Sequence, residues 1–111
     1  MFNFCSLYSG SSGNSLYVET ENTRLLIDAG VSRKKIVEGL KKADLKMSDI
    51  SAIFVTHEHI DHTKGIGVIS RKDHTKVYST QGTIEAIFDT ASLGVMPKEL
   101  FMPISSNTLF T

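Results

Sequence analysis

Cysteine is almost absent: Cys5 is the single one in 111 residues, so no disulfide can close within the chain. Long hydrophobic runs are missing too, and no apolar stretch approaches the roughly 18 residues of a membrane span. The opening segment Met1-Phe2-Asn3-Phe4-Cys5 lacks a basic region followed by an apolar run of signal-peptide length. Charge of one sign is not in excess, with 12 Lys and Arg against 12 Asp and Glu. Bulk electrostatics therefore do not advertise a nucleic-acid binder. The balance argues only weakly against a polyanionic substrate, because a bound divalent metal can supply local positive charge. Internal repeats and low-complexity segments are also missing. Together these absences predict one domain without membrane contact, in a reducing, cytoplasmic location.

What is present alternates between strand-like and helix-like patterns. Phe2 to Leu7 is short, apolar and aromatic, which suits a strand, and Ser9-Gly10-Ser11-Ser12-Gly13-Asn14 is a strong loop signal. Leu16 and Val18 alternate with Ser15, Tyr17 and Glu19, the period of a strand with one buried face. After a polar connector over 20–23, Leu25-Leu26-Ile27 is continuously apolar and reads as a strand covered on both faces. The two segments are expected to pair as a hairpin ending at Asp28. Ser32 is a candidate cap for an amphipathic helix with Ile36, Val37, Leu40 and Ala43 inward and a solvated lysine-rich outer face.

Ala52-Ile53-Phe54-Val55 predicts a second buried strand. A helix over Gly65 to about Lys72 follows, with Ile66, Ile69 and Val68 inward. Val77-Tyr78 reads as a short strand, and Thr80 can cap a helix over Gln81 to Asp89 with Ile84, Ile87 and Phe88 inward. Leu100-Phe101-Met102 and Thr108-Leu109-Phe110 are further strand candidates. Strands alternating with helices after a leading hairpin predict a mixed-sheet α/β (α+β) architecture.

The 52–55 strand delivers the chain into Thr56-His57-Glu58-His59-Ile60-Asp61-His62. Four potential metal ligands, His57, His59, Asp61 and His62, fall within six residues, and they take up three of the chain's four histidines. A regular helix would need its ligands four apart. His57 and His59 share a side only if the backbone is extended. Adjacent Asp61 and His62 would point apart in any regular element, so a loop is expected, with the first two ligands on one metal and the last two on a neighbour. Imidazoles with one carboxylate suit Zn²⁺, with Mn²⁺ also possible. Two such ions can bind a bridging hydroxide, and Asp61 is the candidate catalytic residue that orients it. The fourth histidine, His74, stands in a polar turn and is expected to be exposed.

Asp28 ends a buried strand, where a carboxylate is costly unless paired. It is either a cap near Gly30 or an acceptor that fixes the histidine loop. The Ser9 to Asn14 loop lacks the Lys-[Ser/Thr] ending of a P-loop. It is either a plain tight turn or a source of backbone N–H groups for an anion beside the metals.

Thr56-His57-x-His59-x-Asp61-His62-x-x-Gly65, preceded by Leu26-Ile27-Asp28-Ala29-Gly30, resembles the signature of the metallo-β-lactamase superfamily. Phe4-Cys5-Ser6-Leu7, the Ser9 to Ser15 loop and Gly65-Ile66-Gly67-Val68 resemble its bacterial YycJ (WalJ) branch, regarded as DNA exonuclease-like metallohydrolases. The resemblance implies that His57 and His59 hold a first metal, Asp61 and His62 a second, and that buried Asp28 supports the loop. It implies two zinc ions in a complete site and a DNA substrate for the parent enzyme. A thioester hydrolase of the glyoxalase II kind shares the loop, and a non-catalytic metal-binding module is the alternative from another class. The family completes its site with a later histidine, a bridging aspartate and a final histidine, and nothing after His62 matches them. The likeness thus implies the N-terminal half (1–111) of a four-layer αββα sandwich, an incomplete domain inactive by itself. Its exposed sheet face is expected to self-associate or recruit a neighbour.

Overall fold

The computed structural model describes residues 3–10 and 13–105. Six strands lie side by side in chain order: β1 (Asn3–Tyr8), β2 (Ser15–Glu19), β3 (Arg24–Ile27), β4 (Ala52–Phe54), β5 (Lys76–Ser79) and β6 (Phe101–Pro103). The first three are antiparallel, as short connectors allow, and β3 to β6 run parallel. Parallel neighbours need crossovers. These carry α1 (Arg33–Lys41), then the short α2 (Ile60–Thr63) with α3 (Ile66–Asp73), then α4 (Gln81–Phe88). The mixed sheet with flanking helices is the expected architecture, and the leading hairpin pairs Leu16 with Ile27 through Glu19 with Arg24.

The core follows from the register. Leu26, Ile53, Val77 and Phe101 sit opposite one another on four adjacent parallel strands. They pack with Ile36 and Leu40 of α1, Ile66 and Ile69 of α3, and Ile84 and Ile87 of α4. Each fully buried Leu or Ile is worth about 1.5–3 kcal/mol of hydrophobic transfer, so this face holds the helices on the sheet. The helix starts read from sequence are present: Ser32 and Thr80 accept from the backbone N–H of Lys35 and Thr83, each at 3.3 Å.

Four expectations change. In β2 the side of Ser15 and Tyr17, not that of Leu16 and Val18, faces the core, with Tyr17 opposite Leu26 and in the core cluster. Strand β3 is not covered on both faces: Leu26 is fully buried, but Leu25 and Ile27 are half-buried. The core gathers on one face of the sheet, and Phe54 and Tyr78, stacked at 5.2 Å, share the other with Leu25 and Ile27. Val68 is 45% exposed rather than inward. It lies two residues from Ile66, about 200° around the helix, so the two cannot share a face. Ala43 is exposed because α1 ends at Lys41 and the chain has already turned. Thr108-Leu109-Phe110 lies outside the described residues. No helix among the described residues is long and apolar enough to cross a membrane.

Candidate metal centre

Parallel pairing of β3 with β4 sets Ile27 beside Phe54, so the two strands discharge Asp28 and Thr56 at the same end of the sheet. The backbone of Asp28 continues the pairing, its N–H donating to the Phe54 carbonyl at 2.7 Å. The residue then turns into the left-handed region at φ 66°, which Asp tolerates better than most side chains. The Ser15 hydroxyl donates to its carbonyl at 2.8 Å and holds that turn.

Asp28 is only 5% exposed, and its carboxylate is fully engaged. Oδ1 accepts from the Thr56 backbone N–H at 2.7 Å. Oδ2 accepts from the Thr56 hydroxyl at 2.7 Å and pairs with His62 Nδ1 at 2.6 Å. Its hydrogen bonds thus run to Thr56 and His62 rather than to the backbone near Gly30. Removing the carboxylate would strand buried polar groups.

A second clamp comes from the N-terminal loop. Asn14 donates to the Asp61 carbonyl through its backbone N–H at 2.8 Å and through Nδ2 at 3.3 Å. Its own carbonyl accepts from Gly30 N–H at 2.8 Å. The three backbones meet so closely that a Cβ on Gly30 would lie 1.7 Å from the Asp61 carbonyl oxygen. Gly30 is therefore required by space, since no side chain fits between those backbones. In this loop Asn14 serves as a backbone tie; residues 11–12 lie outside the described part.

The four donor residues gather at this end of the sheet, but not in a simple loop. Asp61 and His62 sit on the single turn α2, with His59 at its cap and the His59 carbonyl accepting from His62 N–H at 2.8 Å. The Thr63 hydroxyl back-bonds to the Glu58 and His59 carbonyls at 3.3 and 3.1 Å and ties the turn down. The ring of His57 lies 4.8 Å from that of His62 and 6.1 Å from that of His59, centroid to centroid. His62 Nε2 faces Asp61 Oδ2 at 3.7 Å, while the exposed His59 side chain turns its Nε2 toward Glu58 at 3.7 Å. Among the described residues no three His, Cys, Asp or Glu side chains converge on one ion position. The chemistry of the donor set fits a divalent cation. These residues supply donors at one place without completing a coordination shell.

His74 is exposed, as expected, and ends α3 at φ 54°. Sequence reasoning missed the side-chain roles of Thr56, Asn14 and Ser15. Asn14, after Gly13, and Thr56, before His57, were visible, but their partners Asp61 and Asp28 lie 47 and 28 residues away in the chain.

Residues 8–104 match the sequence pattern of the metallo-β-lactamase superfamily. The chain is 45% identical over 93 residues to Exodeoxyribonuclease WalJ of Streptococcus pneumoniae, covering 84% of this chain and 35% of that protein. It is 49% identical over 84 residues to Exodeoxyribonuclease YycJ of Bacillus anthracis, covering 76% and 32%. The chain thus spans about a third of the length of these curated relatives. Its fold is similar to that of a B3 metallo-β-lactamase with an active-site glutamic acid, with a TM-score of 0.75 at 18% identity over 93% of this chain and 43% of that one. A metallo-β-lactamase of Cronobacter sakazakii gives 0.67 at 22% identity over 90% and 38%. With the superfamily pattern covering most of the chain, the chain belongs to the metallo-β-lactamase superfamily.

Proposed function

We propose that this chain is the N-terminal part of a metal-dependent hydrolase that cleaves phosphodiester bonds in DNA, working in the cytoplasm. The observation that carries the reading is the grouping of His57, His59, Asp61 and His62 around a buried Asp28 that already holds one of the imidazoles. Superfamily membership implies divalent-metal binding, and the nitrogen-rich donor set favours zinc, with manganese possible. The two relatives named exodeoxyribonuclease support DNA as substrate. The spacing of the four donors, His57 with His59 and Asp61 with His62, supports a complete site holding two ions, its other ligands coming from outside these residues.

When bound, a divalent metal lowers the pKa of a coordinated water and offsets the charge that develops at phosphorus. The chain's own residues set up that chemistry. Asp28 engages His62 Nδ1 and so turns His62 Nε2 toward Asp61. Asp61, held through its carbonyl by Asn14, presents a carboxylate that can accept a proton from an attacking water and keep it oriented. His57 and His59 leave the strand end on the same side of the loop and offer the remaining imidazoles.

The test is hydrolysis by the full-length protein containing this chain, with Mn²⁺ or Zn²⁺, on end-labelled single-stranded DNA and on a glutathione thioester. DNA shortening that is lost in Asp61→Ala and His59→Ala, without thioester turnover, is the expected result. Thioester turnover without DNA shortening would assign the glyoxalase II reading instead. DNA loss that survives both substitutions would remove these residues from the reaction. The 111-residue chain alone is expected to leave both substrates intact.

A further inference from the structure

The geometry points to Thr56 as a positioning residue whose hydroxyl relays the fixed orientation of Asp28 to His57, so that one buried carboxylate sets the tautomer of two imidazoles. A hydroxyl carries a single proton to donate, and a carboxylate can only accept. The Thr56 hydroxyl lies 2.7 Å from Asp28 Oδ2 and 2.9 Å from His57 Nδ1. Asp28 must take the hydroxyl proton, because Oδ2 has none to give. Thr56 Oγ1 is then left with lone pairs only, and the hydrogen bond to His57 requires the proton to sit on Nδ1. The same reasoning applies directly at His62, whose Nδ1 faces Asp28 Oδ2 at 2.6 Å and must donate to it.

Both imidazoles are thus held with Nδ1–H tied back to the protein and the Nε2 lone pair turned outward. An isolated neutral imidazole prefers the opposite tautomer only slightly, so a single hydrogen bond decides which nitrogen is free. The threonine is fixed for this task by a second contact, because its backbone N–H donates to Asp28 Oδ1 at 2.7 Å. The side chain and main chain of Thr56 therefore straddle one carboxylate. Valine would keep the shape and the backbone contact while deleting the relay; serine would keep the relay. His59 has no such tie: its Nε2 faces the Glu58 carboxylate at 3.7 Å, and its side chain is 72% exposed. Asp28, directly at His62 and through Thr56 at His57, therefore prepares two of the three loop histidines before any ion arrives.

This inference deepens the proposed metal site and rests on it for its purpose, yet its first readout needs neither metal nor activity. The experiment is long-range ¹H–¹⁵N NMR of the metal-free, histidine-labelled chain at about pH 8.5, well above the ordinary imidazole pKa of about 6.5. With four histidines in the chain, single substitutions suffice for assignment. In the wild-type protein His57 and His62 should both show the protonated-Nδ1 pattern. Thr56→Val should move His57 to mixed or Nε2-protonated signals and leave His62 unchanged, and Thr56→Ser should restore the wild-type pattern. Zinc affinity, measured by competition with a chromophoric chelator in the full-length protein, should fall about 10–100-fold in Thr56→Val and recover in Thr56→Ser.

A wild-type His57 protonated on Nε2 overturns the inference outright, even if the valine variant fails to fold. So does a Thr56→Val spectrum with His57 unchanged. If the tautomers are as stated but the full-length protein binds no zinc, the relay stands and the metal-site reading falls.

Discussion

Asp28→Asn tests the organisation of the site most searchingly. Asparagine is nearly isosteric and, like aspartate, tolerates the left-handed φ of 66°, so backbone strain does not confuse the result. What changes is the acceptor count. The carboxylate accepts from Thr56 N–H, Thr56 O–H and His62 Nδ1 at 2.6–2.7 Å. An amide oxygen can keep the Thr56 N–H bond, but the NH₂ then faces the Thr56 hydroxyl and His62. Hydrogen bonds to a charged group are worth about 1.5–3 kcal/mol each, and their losses are not additive within one network. Allowing the hydroxyl and the ring to reorient, the expected destabilisation is about 2–4 kcal/mol, a large share of a stability of about 5–15 kcal/mol. Asp28→Ala should cost about 1–2 kcal/mol more, because alanine resists the left-handed conformation. The assay is urea denaturation followed by far-ultraviolet circular dichroism, read from midpoints at constant slope. An Asp28→Asn midpoint within about 0.5 kcal/mol of wild type would show that the carboxylate network contributes nothing.

Other consequences can be checked in the same way. Gly30→Ala places a Cβ 1.7 Å from the Asp61 carbonyl oxygen and 2.7 Å from Asn14 N, backbone atoms that cannot step aside. A loss of at least about 3 kcal/mol by thermal denaturation is expected, against the 1–3 typical of overpacking. Tyr17 is pushed up to about 12 by burial and then by its hydrogen bond and charge repulsion with Glu19, 2.6 Å from the hydroxyl. Its neutral form is favoured in the fold, so its contribution is complete below about pH 10 and fades as the pH rises toward 12. Tyr17→Phe should flatten that alkaline loss in urea midpoints taken between those pH values, and an unchanged slope would refute the assignment. The half-exposed Leu25, Ile27, Phe54 and Tyr78 make one open sheet face, on which self-association of the isolated chain is proposed. Light scattering should show a concentration-dependent mass that Phe54→Lys abolishes; a monomer at every concentration would contradict it.

Strand and helix positions were legible because alternation and capping are local signals. Alternation over Ser15 to Glu19 announces β2, although Tyr17 rather than Leu16 and Val18 joins the core, and Ser32 and Thr80 announce α1 and α4. Which face of an element is covered is not local, and there the sequence misled. Leu25-Leu26-Ile27 looks the same whether one face or both are packed, and only the placement of α1, α3 and α4 on the Leu26 side decides it. Val68 is apolar and next to Gly67, which is buried, yet the helical turn carries it outward. The candidate donors His57, His59, Asp61 and His62 stood out by their spacing alone. The turn α2 was not, since four residues hold no periodicity to read. The supports of the site were hidden for a third reason. Thr56, Asn14 and Ser15 act through partners that only the β3–β4 register and the close backbone contact at Gly30 bring near.

Zinc titration of the chain, with bound metal counted by atomic emission after gel filtration, tests the central claim most directly. Wild type should retain zinc through the His57 to His62 segment at a measurable fraction of one ion per chain, since four donors cannot fill two coordination shells. His57→Ala and His59→Ala should each release it. No retention by the wild-type chain even at saturating zinc, or equal retention in both variants, would contradict the reading of this segment as a metal-binding loop.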